Sequence, residues 1–272
     1  MIANKFRLIN LCVLVSIAVC TAAAQETPKD PPKDPQTEKA EAVIAKAVQA
    51  VGGDRYLQVR SLVGRGKYSV LKDGAVASFQ SFVDVMVYPD KERAEFRGGG
   101  TQLTQVNTGD TGWVYDGDQD VIKVQTETQV ANFKQGLRTS LDHLLRGHWK
   151  GSATLAYLGR RPATLGKRND AIRLTYADGL VVEFEFASDD GLPQKAMYKR
   201  VGFDGEEVKE EDRYAQFVET GGIRSPYIID HLTDGKPSSR INYESIEFNK
   251  PIPDSIFAKP ANVKDAKKDI KP

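Results

Sequence analysis

TETQVANFKQGLRTSLDHLLRGHWK, residues Thr126–Lys150, is the stretch whose reading decides the fold. Its large apolar residues are Phe133, Leu137, Leu141, Leu144, Leu145 and Trp149. Steps of three and four put them on one face of a single long helix. Lys134, Gln135, Arg138, Asp142 and Arg146 take the opposite face. Burying a large apolar side chain is worth roughly 1.5–3 kcal/mol, so this stripe needs an apolar surface to lie on. The flanking chain reads as strands, and the surface is therefore a sheet. The reading is an α+β fold: a curved antiparallel β-sheet with a helix across one face.

Upstream, the period is two. Leu62, Gly64, Gly66, Tyr68 and Val70 alternate with Arg65, Lys67 and Ser69, and Asp73-Gly74 is a hairpin signal. The returning strand carries Ala75, Ala77, Phe79, Val83, Val85 and Val87 on one face, and Gln80, Phe82, Asp84 and Met86 on the other. Apolar character on both faces predicts a strand covered on its back or lying beside a ligand space. Tyr88-Pro89-Asp90-Lys91 turns the chain into Glu92–Arg97; Thr101–Asn107, Trp113–Tyr115 and Val121–Val124 follow. Downstream of Gly151, turn signals at Asp178-Gly179, Asp190-Gly191, Asp204-Gly205, Gly221-Gly222 and Asp234-Gly235 predict a meander of hairpins. In the last strand Ile241 and Tyr243 are out of phase with Ile246 and Phe248, which predicts a bulge near Glu244-Ser245.

The N-terminal end reads as a route out of the cytoplasm. Lys5 and Arg7 precede the apolar run Leu8–Val19, and Ala22-Ala23-Ala24 supplies small residues for cleavage. Residues 1–24 therefore read as a secretory signal peptide and predict export of the chain. The alternative is lipid attachment at Cys20, but Val19 precedes it where such signals carry Gly, Ala or Ser. Residues 25–36 repeat PKDP and predict a solvated linker. A helix is expected from Thr37 or Glu38 to Val51, stopped by Gly52-Gly53. Residues 37–262 are then expected to form one domain, and the charged tail 263–272 is expected to fray.

Composition and motifs narrow the chemistry. Both cysteines, Cys12 and Cys20, precede the cleavage site, so the exported chain has no disulfide and no thiolate. Without Lys5 and Arg7 it carries 36 basic against 37 acidic residues, which argues against a nucleic-acid binder. His143, His148 and His231 form no HExxH pattern, and no GxSxG is present. Five positions apart, His143 and His148 fall on different faces of one helix. Asp116, Asp118, Asp120 and Glu127 have the spacing of a calcium loop, but Val121 stands where the sharp-turn glycine is needed. A polar hairpin tip is the better account. Neither a catalytic residue, a metal site nor a cofactor is predicted.

The C-terminal run resembles the ending of bacterial periplasmic proteins of the LolA/LolB-like lipoprotein-carrier fold. The residues that carry the likeness are Tyr214 and Phe217, Gly222-Ile223, Pro226, Asp234-Gly235, then Asn249, Asp254, Phe257 and Pro260. Val51-Gly52-Gly53 and Tyr88-Pro89-Asp90-Lys91 are similar to the same group. The resemblance implies an unclosed half-barrel with helices over its concave face, holding acyl chains in its best-understood members. It also implies an arginine that latches a helical lid, a role the sequence does not place. The family includes stress-sensing regulators as well, so fold does not fix function. Two functions are therefore carried forward. One is a monomeric, non-enzymatic periplasmic carrier of a lipid or lipidated protein in a hydrophobic cavity. The other is an envelope module binding a protein partner through the same sheet. The residues expected to line the ligand space are Tyr68, Phe79, Val83 and Val85 from the first hairpin, with Phe133, Leu137, Leu141 and Leu144 from the helix.

Overall fold

The structure, a computed structural model, describes residues 34–202 and 205–268. Residues 1–24, read above as a signal peptide, residues 25–33 of the predicted linker, Asp204 and residues 269–272 of the tail lie outside the described residues. The helix expected from Thr37 begins two residues earlier, as α1 (Pro35–Val51). Asp34 caps it, accepting from Thr37 N at 3.3 Å, and Pro35 occupies a first-turn position where no N–H is needed. After Gly52-Gly53 comes the single turn α2 (Asp54–Leu57). Gly52 has φ 131°, and a Cβ there would stand 2.6 Å from Gly222 O, so only glycine lets α1 end this close to the sheet.

Six strands run outward in chain order: β1 (Ser61–Lys72), β2 (Ala75–Val87), β3 (Lys91–Gly98), β4 (Thr101–Thr108), β5 (Thr111–Asp116) and β6 (Val121–Val124). Two helices follow, α3 (Glu127–Thr139) and α4 (Leu141–Leu145). Seven more strands then return: β7 (Ala153–Pro162), β8 (Arg168–Tyr176), β9 (Val181–Ala187), β10 (Pro193–Val201), β11 (Glu207–Thr220), β12 (Ile223–Thr233) and β13 (Lys236–Phe248). All pairings are antiparallel, and β1 pairs with β13 in the middle of one unclosed thirteen-stranded sheet. The edges are β6 and β7, so the α3–α4 connection has to pass from one edge to the other. The expected curved sheet with helices across one face is the observed fold.

The predicted bulge is present: Arg65 faces Ser245 but Gly66 faces Tyr243, leaving Glu244 as the extra residue. Asp73-Gly74 and Asp234-Gly235 have positive φ at both positions, as a type I′ hairpin turn requires. At Gly64 a Cβ would meet the Tyr243 ring at 2.5 Å; the glycine lets that ring lie across β1.

The single helix read over residues 126–150 is broken. Ser140 is extended (φ −72°, ψ 149°), and its Oγ donates to Leu137 O at 2.8 Å while accepting from His143 N at 3.1 Å. It closes α3 and caps α4 at once. The break aims the two halves of the apolar stripe at different places. Leu144, Leu145 and Trp149 enter a core with Ile172, Phe184 and α1 residues such as Val48, whereas α3 buries only Thr139.

A second core lies on the opposite face of the sheet. Val63, Val85, Val106, Trp113 and Tyr115 are covered there by the chain that follows β13, through Phe257 and Ala266. Trp113 Nε1 donates to Phe257 O at 2.9 Å and Arg93 Nη1 to Ile256 O at 2.6 Å. Instead of fraying from Lys264, the chain forms a last turn, α5 (Val263–Ala266), whose Ala266 is buried. Lys267 then pairs with Asp120 at 2.9 Å.

Candidate functional site

Between the concave face and α4 lies a cavity of about 310 Å³. Leu141 and Leu145 form its roof, and Leu62, Tyr214, Ile229 and Ile246 are among its wall residues on the sheet and floor. An open cleft of about 690 Å³ runs along the underside of α3. Met86, Tyr88, Gly136, Ser140 and Asp142 are wall residues of both, so the two spaces adjoin.

α3, over the cleft, is held from both sides. Arg138 forms a two-pronged pair with Asp178 at 2.7 and 2.8 Å, and its guanidinium sits 4.1 Å above the Tyr176 ring. Lys134 pairs with Asp110 on the other side. The helix starts on a capping box between Thr126 and Gln129. These are mostly exposed ion pairs, each worth little by itself. α3 is thus a bridge tethered at its middle and its C-terminal end over the cleft.

α4 is anchored by a part-buried polar cluster. Arg146 Nε donates to Asp142 Oδ1 at 3.1 Å, and its Nη1 donates to Val59 O at 2.9 Å. The rings of Tyr88 and Tyr56 flank the guanidinium at 4.0 and 4.7 Å. Both phenols also donate to Asp142, Tyr56 at 2.6 Å and Tyr88 at 3.1 Å. Burial first, then the Asp142 carboxylate, pushes both hydroxyls well above their usual range. They stay protonated and keep donating.

A second pair stands on the cavity wall. His231 Nδ1 lies 2.5 Å from Asp212 Oδ1. Burial works against the imidazolium, but the hydrogen bond and charge of Asp212 outweigh it and raise the His231 pKa. Deeper in the sheet, Asp84 Oδ1 is buried with no partner. Burial, then Glu92, raises the Asp84 carboxyl well above the carboxylate range, and burial raises Glu92 too.

The residues expected to line the ligand space divide into four groups. Leu141 lines the cavity, and Phe133 and Leu137 line the cleft. Leu144 is fully buried in the core. Val83 and Val85 lie on the opposite face, against the C-terminal segment, because β2 places Phe82, Asp84 and Met86 toward the helices. Phe79 shares their face and is 59% exposed. Tyr68 is on the helix side but packs edge-on against Phe96 at 5.3 Å, away from the cavity. The sequence reading missed Met86, Tyr88, Tyr243 and the Arg146–Asp142 pair. The four-residue spacing of Asp142 and Arg146 was the available signal, and it had been assigned to a solvent face.

His143 and His148 also differ from expectation. The chain turns sharply after α4, with Gly147 at φ 74°, and brings the two rings to 5.9 Å. Burial, then His148 and Arg138, holds the His143 pKa down to about 4. Asp116 uses its carboxylate on the backbone N–H of Asp118 and Gln119, and Asp120 is engaged by Tyr115 and Lys267. Among the described residues no three His, Cys, Asp or Glu side chains are grouped to hold a metal ion, and no helix is long and apolar enough to cross a membrane.

No protein-family model and no curated protein matches the chain. Solved structures do. A LolA superfamily protein from Nitrosomonas europaea is 15% identical with a TM-score of 0.54, over 81% of this chain and 97% of that one. A domain assigned as an outer membrane lipoprotein-sorting protein from Vibrio parahaemolyticus is 10% identical with a TM-score of 0.52, over 80% and 97%. At these identities the likeness is one of fold, and the chain has the LolA-like fold.

Proposed function

We propose that this chain is a non-enzymatic carrier in the periplasm that shelters an acyl chain of a lipid or lipidated protein. The observation that carries the reading is the mostly apolar cavity between the sheet and α4, adjoining the cleft under α3. Apolar walls with a few convergent polar groups are the usual make-up of a small-molecule site. A filled core would have favoured the alternative, an envelope module that docks a protein on the sheet. One of the similar solved structures is a domain assigned to lipoprotein sorting, which agrees with the carrier reading. Residues 1–24 serve in this proposal as the export signal, and intact mass of the exported protein tests that part: a chain starting at Gln25 supports it, and an acylated chain starting at Cys20 overturns it. Lipid extraction and native mass spectrometry of protein purified from its own envelope test the function. Co-purifying lipid supports the carrier; a stoichiometric protein with no lipid overturns it.

A further inference from the structure

The charged residues of the cavity wall are paired with one exception. Asp142 pairs with Arg146, and Asp212 with His231. The remaining charged wall residue is Arg224, from the start of β12. It is half-buried, and among the described residues its guanidinium has neither a hydrogen bond nor an ion pair. Glu219 stands opposite it in register on β11 and does not pair with it. None of the Arg224 nitrogens is both unbonded and sealed from solvent, so an incoming oxyanion can reach them. A second cation stands beside the same strand end. Arg55 of α2 lies over Gly222, where a Cβ would meet its Nη1 at 2.2 Å; the glycine is what admits the guanidinium. Gly222 is two residues before Arg224, and Arg55 also has no ion pair among the described residues. Like charges brought together without a counter-ion repel, and an anion between them reverses the sign of the interaction.

Size limits the ligand as charge does. A cavity of about 150 Å³ accommodates one benzene ring. At about 310 Å³ this one holds roughly twice as much, on the order of a dozen carbons. That is one chain, and a second or third would have to lie in the open cleft. A planar guanidinium with free donors matches the paired oxygens of a carboxylate or phosphate.

Resting on the carrier reading, we infer that Arg224 is the head-group site of the cavity and that the cargo is a single-chain amphiphile with an anionic head, a carboxylate or a phosphate. The chain lies against wall residues such as Leu62, Leu141, Leu145 and Ile246, and Arg55 adds a second positive charge for the head. A neutral ester of the same chain fills the same space and leaves the Arg224 charge unpaired. The site therefore selects acyl anions over neutral molecules of equal length.

The test is displacement of a fluorescent probe from the full chain at pH 7.5 by dodecanoate, dodecyl phosphate and methyl dodecanoate, each delivered from cyclodextrin. The quantity read is the affinity for each anion relative to the neutral ester. Arg224→Gln should lower that ratio roughly tenfold, and Arg224→Lys should keep most of it. Arg60→Gln, at an exposed arginine that is not a wall residue, should leave it unchanged. Arg55→Gln, also at an exposed position, should lower it several-fold and keeps the test decisive if Arg224→Gln does not fold. A high ratio for either anion in wild type, lost in Arg224→Gln, supports the site and assigns the head as carboxylate or phosphate. With the ester bound, three results overturn the site and leave the carrier standing: a wild-type ratio near one, a ratio that neither Arg224→Gln nor Arg55→Gln moves, or an equal loss in Arg60→Gln. Failure of wild type to bind any of the three compounds overturns both.

Discussion

Asp142 Oδ1 accepts from Arg146 Nε at 3.1 Å, one turn apart on a five-residue helix, and this pair is where α4, α2 and the end of β2 meet. The same carboxylate takes the hydroxyls of Tyr56 and Tyr88. Asp142→Ala leaves a buried guanidinium and two phenols without their acceptor. Breaking a fully buried pair from one side costs about 3–5 kcal/mol, and the Asp142 side chain is only part-buried, so the variant should lose less than that in urea unfolding. Adding Arg146→Met should recover part of the loss. Additive single and double losses would mean that the two side chains are not coupled.

Leucines on the two sides of Ser140 should respond differently to truncation. Leu144 is fully buried among close-packed neighbours, and Leu144→Ala should cost about 2–5 kcal/mol. Leu137 lines the cleft, where the space beside it is already unfilled, so Leu137→Ala should cost about 2 kcal/mol or less. Equal costs in equilibrium unfolding would show that α3 covers ordinary core. Leu141→Arg, from the cavity roof, should leave the chain folded and abolish binding of a hydrophobic probe.

The bridge α3 should open on its own. It buries one residue and is tethered through Lys134–Asp110 and Arg138–Asp178, pairs that salt screens. Its amides should exchange hydrogen faster than those of α1, and faster still in Arg138→Ala or at high ionic strength. Exchange in α3 as slow as in α1, unaffected by salt, would rule out a tethered roof.

Asp84 should make stability depend on pH. Burial and Glu92 raise its carboxyl in the folded chain, so the folded state keeps a proton that the unfolded chain releases near about pH 4. The associated stability is complete below the unfolded value and is lost as pH rises through the raised folded value. Asn imitates the neutral acid, so Asp84→Asn should gain on wild type as pH increases, with little difference near pH 4. The check is urea unfolding of both proteins at pH 4.5 and pH 8. A gain of the same size at both would refute the assignment.

The C-terminal segment should behave as core. Phe257 is buried against Trp113 and Val85, and Phe257→Ala should cost about 3–5 kcal/mol by chemical denaturation. Lys267→Ala removes an exposed pair and should stay within about 0.5 kcal/mol of wild type. A Phe257→Ala chain as stable as wild type would show that the segment merely rests on the sheet.

Local pattern was enough to predict the sheet and its helices. Alternation, DG turns and the slip between Tyr243 and Ile246 are written in neighbouring residues, and the observed strands, type I′ turns and bulge at Glu244 follow them. The Ser140 break was also legible, since Ser with three residues of helix to follow is a cap signal, but the longer apolar period across it hid the stop. What only the tertiary structure decided is which face of each strand meets which partner. Val83 and Val85 form the more apolar face of β2, and a pattern of two cannot say whether a helix or a distant C-terminal segment will cover it. That assignment depends on β1 pairing with β13, a contact between the two ends of the domain. The same closure carries Asp142 and Arg146 inward against Tyr56 and Tyr88 and turns a pair with the spacing of a solvent-facing ion pair into the part-buried anchor of the cavity. Burial is a property of the assembled sheet, and no single element holds it.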